Sequence, residues 1–247
     1  MKQTKVIAIC NQKGGVGKTT ISQHLIVGLR KKNFRVLAID FDTQCDLSFA
    51  FNIKNKFSIY DIINNPKQNI NEAIENDFLA GSPLLSSINF KAKQNKEYLL
   101  KSALANIIYD YDYIIIDTPP ALSDLTINAL TASDEIIIAS QADILSLKGI
   151  GQLAQTIQAV KEYTNTNLTV KGILLTRYNN RTVLAKSVAN MLEETATQLN
   201  TKLFNTKIRE CNAIKEAQAE RSNIFDYKKY STAGLDLQNF INEYLEE

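Results

Sequence analysis

The stretch that decides the fold is Cys10-Asn-Gln-Lys-Gly-Gly-Val-Gly-Lys-Thr-Thr20. It follows an apolar run at residues 6–10 and precedes a helical pattern, so it predicts a strand, a glycine loop and a helix in succession. Glycines let backbone N–H groups point inward at a polyphosphate, and the N-terminus of the helix adds its dipole. In such a cradle Lys18 reaches the β- and γ-phosphates, and the Thr19 hydroxyl ligates Mg²⁺. The segment therefore predicts a binding site for a nucleoside triphosphate.

The loop departs from the strict phosphate-loop pattern at one informative point. That pattern needs a glycine six residues before the lysine, whereas this chain has Gln12 there and adds a second lysine, Lys13. A lysine at the mouth of the loop is poorly placed to contact its own γ-phosphate, but it could reach a nucleotide in a facing subunit. The departure predicts a nucleoside triphosphatase whose active state is a dimer.

Composition and length set the class of protein. The 247 residues are 45% hydrophobic and 22% charged, which is ordinary for a globular chain and fits one α/β domain over residues 1–247. No uncharged apolar stretch of about 18 residues is present, so no membrane span is expected. The first residues run directly into a strand, which leaves no room for a signal peptide. Three scattered cysteines are too few for a disulfide framework or a zinc site, so the expected compartment is the reducing cytoplasm.

Apolar runs alternate with helical patterns along the chain. Most runs are continuous rather than alternating, which is typical of strands covered on both faces in a parallel sheet. The prediction is an α/β fold with a single doubly wound, mostly parallel sheet flanked by helices. Residues 49–95 are less regular and are expected to form short helices and a strand near 78–80. The predicted strands are 6–10, 35–40, 113–117, 135–139 and 170–176, and the predicted helices are 18–32, 97–109, 123–132, 147–163, 183–200 and 234–244.

Acidic side chains follow two of the predicted strands. One strand runs into Asp40-Phe41-Asp42, and alternation places both carboxylates on the same side near the carboxyl edge of the sheet, where open α/β sheets bind ligands. Another ends in Asp117-Thr-Pro-Pro120, a Walker B arrangement. Asp117 is expected to hold Mg²⁺ through a water, since Mg²⁺ keeps much of its hydration shell. An aspartate at a strand end is also a common helix cap or turn former, so this assignment depends on the glycine loop upstream.

The carboxylates of Asp40 and Asp42 are expected to have different roles. Asp42 positions or activates the attacking water and joins the metal site, while Asp40 supports the Mg²⁺ shell or the loop lysine. The reverse assignment remains open. Phosphoryl transfer needs little covalent chemistry from a protein, so these roles are placement and charge neutralisation.

Charge is unevenly distributed although the formal net charge is only +2. Residues 171–231 hold eleven basic and six acidic side chains, whereas residues 232–247 hold four acidic side chains and no basic one. A basic segment near the C-terminus is consistent with a nucleic-acid footprint, and equally with a solvated helical face.

The chain resembles the deviant Walker A ATPases, and within them the ParA/Soj partition ATPases. The resemblance rests on Lys13-Gly-Gly-Val-Gly-Lys-Thr-Thr20, Asp40-Phe-Asp-Thr-Gln44 and Asp117-Thr-Pro-Pro120. Three further stretches fit it: Ser146-Leu-Lys-Gly149, the segment 174–182, and Ile208-Arg209 followed by residues 214–218. One stretch departs, because the family usually has Pro-Gln-Gly-Asn after the acidic pair and this chain has Thr43-Gln44-Cys45-Asp46.

The resemblance implies roles for individual residues. Lys13 crosses the dimer interface to the partner's phosphates, Asp42 activates water, and residues 176–179 and 208–210 flank adenine. The catalytic residues are then Lys13, Lys18 and Asp42, and the Mg²⁺ site is Thr19, Asp42 and Asp117. The residues expected to contact ATP are Lys13, Gly14, Gly15, Val16, Gly17, Lys18, Thr19, Thr20, Asp40, Asp117, Thr176, Arg177, Asn179, Ile208, Arg209 and Glu210. The candidates for sequence-independent DNA contact are Arg181, Lys207, Arg209, Lys215 and Arg221.

The function implied is ATP-dependent DNA partition. An ATP-driven homodimer would bind double-stranded DNA nonspecifically in the cytoplasm, on the nucleoid, and a centromere-binding ParB-like partner would stimulate hydrolysis and release it. An ATPase that positions protein cargo on the nucleoid would use the same chemistry, and the sequence does not separate the two. A membrane-surface ATPase of the MinD type needs a basic amphipathic C-terminal helix, whereas residues 235–247 are acidic. Binding to a membrane is therefore not expected.

Overall fold

The computed structural model describes residues 4–179 and 183–246. The strands are β1 (Lys5–Cys10), β2 (Val36–Asp40), β3 (Ile74–Glu75), β4 (Phe78–Leu79), β5 (Tyr113–Asp117), β6 (Glu135–Gln141), β7 (Thr169–Tyr178) and β8 (Leu203–Arg209). The helices are α1 (Lys18–Lys31), α2 (Asp46–Ala50), α3 (Ile59–Asn64), α4 (Leu99–Leu104), α5 (Asp124–Ala132), α6 (Ile144–Tyr163), α7 (Val183–Gln198), α8 (Asn212–Ala219), α9 (Ile224–Tyr227) and α10 (Thr232–Leu245).

These strands form one sheet in the order β3-β4-β2-β5-β1-β6-β7-β8. Only the short pair β3 and β4 is antiparallel among these strands, and all the other neighbours run parallel. Side chains alternate along β1, so that Val6, Ala8 and Cys10 join one apolar core and Ile7 and Ile9 join the other. Helices cover both faces, which explains why the strands read as continuous apolar runs. The predicted fold class is confirmed.

The register of the sheet brings the functional segments to one edge. Asp117 at the end of β5 lies opposite Asp40 of β2 on one side and Ile9 of β1 on the other. Because β1, β2 and β5 are parallel, the glycine loop after β1 and both acidic strand ends meet at the carboxyl edge of the sheet.

Two parts of the sequence prediction differ from the structure. The helix expected at 97–109 is a short α4 flanked by single turns of 3₁₀ helix at Lys96–Tyr98 and Ile108–Asp110. Strand β8 and the following helix α8 were not predicted, because β8 mixes polar and apolar residues at the edge of the sheet. The strand expected near 78–80 is confirmed as β4.

The C-terminal helix α10 covers the outer edge strand β8. Glu243 accepts hydrogen bonds from the amides of Asn205 and Thr206 at 2.7 and 2.9 Å, and Asp236 accepts one from the amide of Arg209 at 3.0 Å. These carboxylates satisfy N–H groups that an edge strand otherwise leaves open for pairing with another chain. The apolar face of α10, including Phe240, is buried in the core rather than free for a bilayer. Within the described residues, no helix is both long and apolar enough to cross a membrane.

His24, the single histidine of the sequence, lies in α1 and is buried. Its Nδ1 lies 2.7 Å from the carbonyl oxygen of Thr20, and its Nε2 accepts a hydrogen bond from the amide of Ile224 at 3.0 Å. The neutral ring therefore ties α1 to the start of α9. Burial lowers the pKa of His24 to about 4, against a smaller opposing effect of the bond to Thr20.

Candidate active site

The glycine loop wraps the N-terminus of α1. Gly15 and Gly17 have φ angles of 73° and 93°, in the left-handed region that residues with a Cβ rarely adopt. Gly17 caps α1. Lys18 follows it, and its Nζ lies 3.5 Å from the carbonyl oxygen of Lys13. Burial lowers the pKa of Lys18, against the opposing effects of Asp117 and Asp42. A buried cation beside a helix N-terminus is suited to a polyphosphate.

The magnesium corner is built from α1 and β5. The Thr19 hydroxyl donates to one oxygen of Asp117 at 2.7 Å, and the Ser22 hydroxyl donates to the other at 2.8 Å. Asp117 is fully buried, and this burial, with the charge of Asp40, raises its pKa to about 7. A hydroxyl and a carboxylate oxygen this close fit Mg²⁺, which takes oxygen ligands and keeps several waters. Sequence reasoning did not find Ser22, which fixes the orientation of the carboxylate from one turn further along α1.

Asp42 stands in the loop between β2 and α2. It lines the cavity described below, and its Oδ1 accepts a hydrogen bond from the amide of Gln44 at 3.1 Å. Burial raises the pKa of Asp42, partly offset by that bond and by Lys18. Cys45, in the same loop, has a φ of 57° and sits where the family pattern has glycine. Residue 45 therefore has a left-handed backbone conformation although it is cysteine and not glycine, the residue that favours this conformation.

Asp40 is placed differently from the expectation. It is fully buried, its Oδ2 accepts from the amide and the hydroxyl of Ser48 at 2.7 Å each, and its Oδ1 accepts from the amide of Asp42 at 3.2 Å. Its carboxylate is occupied by the polypeptide behind the site rather than presented to ATP or the loop lysine. Asp40 does not line the cavity, and its predicted contact with ATP stays a prediction.

Lys13 points away from its own phosphate cradle. Its Nζ forms an ion pair with Asp143 at 2.6 Å and lies 3.2 Å from the Gln141 amide oxygen and 3.4 Å from the Ser146 hydroxyl. That Lys13 serves the nucleotide of a facing copy stays a prediction. Gln141 also donates to the carbonyl oxygen of Gly15 at 3.2 Å, so the same cluster steadies the glycine loop.

A cavity of about 480 Å³ lies at the mouth of the glycine loop. One wall of the cavity is formed by the glycine loop and α2, and the other by the end of β8 and by α8. The predicted residues that line it are Gly14, Gly15, Gly17, Lys18, Thr19, Thr20, Asp42, Thr176, Arg177, Ile208, Arg209, Glu210, Lys215 and Arg221. Lining residues missed at the sequence level include Gln44, Asp46, Phe49, Pro120, Cys211, Ile214 and Gln218. Ile214 and Gln218 lie one turn apart on α8, a spacing that places them on one face of the helix.

Several predicted nucleotide contacts have other partners. Val16 is a fully buried part of the core. The Thr176 hydroxyl donates to the carbonyl oxygen of Val16 at 2.5 Å and so supports the loop from behind. Arg177 pairs with Glu210 at 3.0 Å across the cavity entrance. Asn179 lines a second, shallower cavity of about 270 Å³ that also contains Asp143 and Arg177.

The expected DNA contacts are spread over different environments. Arg209 binds Asp236 through two nitrogens at 2.9 and 2.6 Å, so its charge is already neutralised. The Arg221 guanidinium lies 4.3 Å from the centre of the Phe49 ring. Lys207 lies over the ring of Tyr178, and Lys215 is exposed at the cavity rim. Arg181 falls outside the described residues.

The arrangement can bind and hydrolyse a nucleoside triphosphate. Lys18 and the helix N-terminus would neutralise phosphate charge, Thr19 and Asp117 would hold Mg²⁺, and Asp42 lines the same cavity, where it would face the attacking water. Mg²⁺ would neutralise the charge that develops on the phosphate oxygens.

Comparison with known proteins agrees with this chemistry. The family described as an AAA domain matches residues 4–170. The sporulation initiation inhibitor protein Soj of Bacillus subtilis is 37% identical over 233 residues, which cover 90% of this chain and 91% of that protein. The chromosome-partitioning ATPase Soj of Treponema pallidum is 33% identical over 231 residues and 90% of each chain. The solved structure of cobyrinic acid a,c-diamide synthase from Mycobacterium smegmatis, with bound ATP analogue and magnesium, has a TM-score of 0.85 at 28% identity, over 98% of this chain and 94% of that one.

Proposed function

Because the chain belongs to the ParA/Soj family of P-loop ATPases, with ATP and Mg²⁺ as its cofactors, we propose that ATP binding joins two copies into a sandwich dimer for DNA partition. The dimer binds double-stranded DNA without sequence preference. A ParB-like partner stimulates hydrolysis of ATP and so releases the dimer from DNA. The protein then cycles between the nucleoid and the surrounding cytoplasm.

The hydrolytic step rests on one observation above all, which is the convergence of Lys18, Thr19, Asp42 and Asp117 at one end of the sheet. Thr19 and Asp117 are joined at 2.7 Å, and Lys18 and Asp42 line the same cavity. Asp42 is the carboxylate suited to the water, because Asp40 is occupied by Ser48 and Asp117 by Thr19 and Ser22.

Dimer formation is supported by the face that surrounds Lys13. The residues that follow its partner Asp143 are Ile144 and Leu145, and both are exposed, Leu145 at 70%. Val183 and Leu184, at the start of α7, are also exposed, Val183 at 82%. Since β6 and β7 are parallel, both pairs lie beyond the same edge of the sheet as the phosphate cradle. A second copy facing this edge would cover these apolar side chains and bring Lys13 to the opposite nucleotide.

Binding to DNA is supported by the charge of the C-terminal third. Among the described candidates, Lys207 and Lys215 make the looser contacts: Lys207 lies 5.1 Å from the centre of the Tyr178 ring and Lys215 lies 3.8 Å from Glu210. Arg209 is paired with Asp236 at 2.6 Å, and Arg221 lies 4.3 Å from the centre of the Phe49 ring and 3.1 Å from Asn52. Contacts from lysine to phosphate carry no sequence information, which fits nonspecific binding.

Nucleotide hydrolysis by the purified chain tests the enzyme. With Mg²⁺ and ATP, the wild type releases phosphate, Lys18→Ala loses nucleotide binding, and Asp42→Asn binds ATP but hydrolyses it at least about 100-fold more slowly. Lys31→Ala, at the far end of α1, serves as a control of unchanged activity. A wild-type rate equal to that of Asp42→Asn would refute the assignment.

Retention on DNA at low salt tests the cycle. A non-hydrolysable ATP analogue should give a dimer that is retained on duplex DNA of any sequence, and ADP should not. The variant Lys207→Ala, at a residue outside the cavity lining, should dimerise normally and bind DNA more weakly. Equal retention with ATP analogue, ADP and no nucleotide would contradict a nucleotide-controlled cycle.

A further inference from the structure

The loop that carries Asp42 is anchored by a buried polar cluster that lies outside the cavity. Asp40 of β2 receives the amide and hydroxyl of Ser48 at 2.7 Å each and the amide of Asp42 at 3.2 Å. The Ser48 hydroxyl in turn accepts a hydrogen bond from the amide of Gly81 at 2.9 Å. One carboxylate thus joins the start of the Asp42 loop, the helix α2 that ends it and the segment after β4.

Steric fit at Gly81 shows how closely the cluster is packed. A Cβ added to Gly81 would lie 2.8 Å from the carboxyl carbon of Asp40, closer than real Cβ atoms come to their neighbours. The backbone at 81 can approach Asp40 only because a side chain is missing there. Asp40 is fully buried, so its position is set by these contacts and not by solvent.

The anchored loop holds the groups that face the nucleotide. Asp40 accepts hydrogen bonds at both ends of the loop, from the amide of Asp42 and from Ser48. Between Asp40 and Ser48, the side chains of Asp42, Gln44 and Asp46 line the cavity. We propose that Asp40 is a positioning residue for hydrolysis, whose bonds to Ser48 and to the amide of Asp42 fix the Asp42 carboxylate over the phosphate cradle. The inference rests on the proposed role of Asp42, and it assigns Asp40 to the loop rather than to Mg²⁺ or ATP.

The first test separates turnover from binding. Asp40→Asn keeps the size of the side chain but replaces one acceptor oxygen by a donor, so it loses either the Ser48 or the Asp42 bond. Turnover should fall about 10- to 100-fold, since a misplaced catalytic group has an effect of that order. The dissociation constant of a fluorescent ATP analogue should stay within about threefold, because Asp40 is fully buried and does not line the cavity.

The second test uses the partner residues of Asp40. Ser48→Ala removes one of the two Ser48 bonds and should lower turnover by a smaller factor, while Ser48→Thr retains the hydroxyl and should restore it. Combined with Asp40→Asn, Ser48→Ala should add nothing, because both substitutions break the same link. Ser133→Ala is the matched control, since this buried serine donates to Ala129 in α5, away from the loop.

The outcomes distinguish the two levels of the argument. A wild type that does not hydrolyse ATP would overturn the proposed function itself. A wild type that hydrolyses ATP, with Asp40→Asn equal to it in turnover, would overturn the positioning role alone. Loss of nucleotide affinity in Asp40→Asn in step with turnover, or additive losses with Ser48→Ala, would also overturn it, because either result indicates general damage or direct contact.

Discussion

The ion pair between Lys13 and Asp143 should oppose dimer formation, and removing this ion pair should strengthen the dimer. If Lys13 serves the nucleotide of a facing copy, the bond to Asp143 at 2.6 Å has to break first in each protomer. Burial by itself would raise the pKa of Asp143, but the hydrogen bonds from Lys13 and Ser146 hold it below its usual range, so the Asp143 carboxylate is ionised at neutral pH.

The size of the effect follows from the exposure of the pair. The two side chains are 31% and 33% exposed, which places the pair near the upper end of surface ion pairs, at about 1 kcal/mol. A symmetric dimer breaks two such pairs, so the cost is about 2 kcal/mol. Since about 1.4 kcal/mol corresponds to a factor of ten, Asp143→Asn should tighten dimerisation about 30-fold.

Asparagine is the right replacement because Asp143 also caps α6. Its Oδ1 accepts a hydrogen bond from the amide of Ser146 at 2.9 Å, and asparagine caps helices about as well as aspartate. The matched control is Asp226→Asn, which removes an ion pair of the same length to Lys31 at the far end of α1.

The assay is sedimentation or light scattering over a range of protein concentrations with a non-hydrolysable ATP analogue. Asp143→Asn should shift the monomer–dimer midpoint to lower concentration, and Asp226→Asn should leave it unchanged. Lys13→Ala should abolish the ATP-dependent dimer. An Asp143→Asn protein that dimerises no better than the wild type would refute the reasoning, as would a Lys13→Ala protein that dimerises normally.

Two further predictions concern the fold. His24 should titrate in NMR spectra with a midpoint near pH 4 rather than about 6.5, and a midpoint near 6.5 would contradict its burial. Because the pKa of His24 is lower in the folded than in the unfolded chain, the neutral ring contributes on the order of 3 kcal/mol to the free energy of unfolding. This contribution should be lost as pH falls from about 6.5 to 4. Cys45 has a left-handed φ of 57°, which costs a residue with a Cβ about 1 kcal/mol, so Cys45→Gly should raise the melting temperature by about 2–4 °C. An unchanged or lower melting temperature would mean that packing of the Cys45 thiol outweighs this backbone strain.

Local sequence was sufficient for the parts of the site that are contiguous in the chain. The sequence predicted the glycine loop, Lys18 and Thr19, because a strand, a glycine turn and the start of a helix each have a local sequence pattern. Asp117 was readable because a continuous apolar strand ends on it. The mostly parallel sheet followed from the same runs, since burial on both faces removes the polar alternation.

The tertiary structure decided which polar groups are already occupied. Asp40 and Asp42 are two residues apart and chemically identical, yet Asp40 is bonded to Ser48 of the next helix, which is itself held by Gly81, whereas Asp42 lines the cavity. Arg209 was a candidate for DNA contact on its sequence alone, but α10 brings Asp236 against it, which the sequence did not predict. The sequence by itself determined the phosphate cradle and the fold class, because the cradle is a contiguous motif and because burial of each strand on both faces leaves a local apolar run in the chain. Only the folded chain determined the partners of Lys13, Asp40 and Arg209: Asp143 and Asp236 come from segments far away in sequence, and Ser48 is turned back onto Asp40 by the fold of the intervening loop.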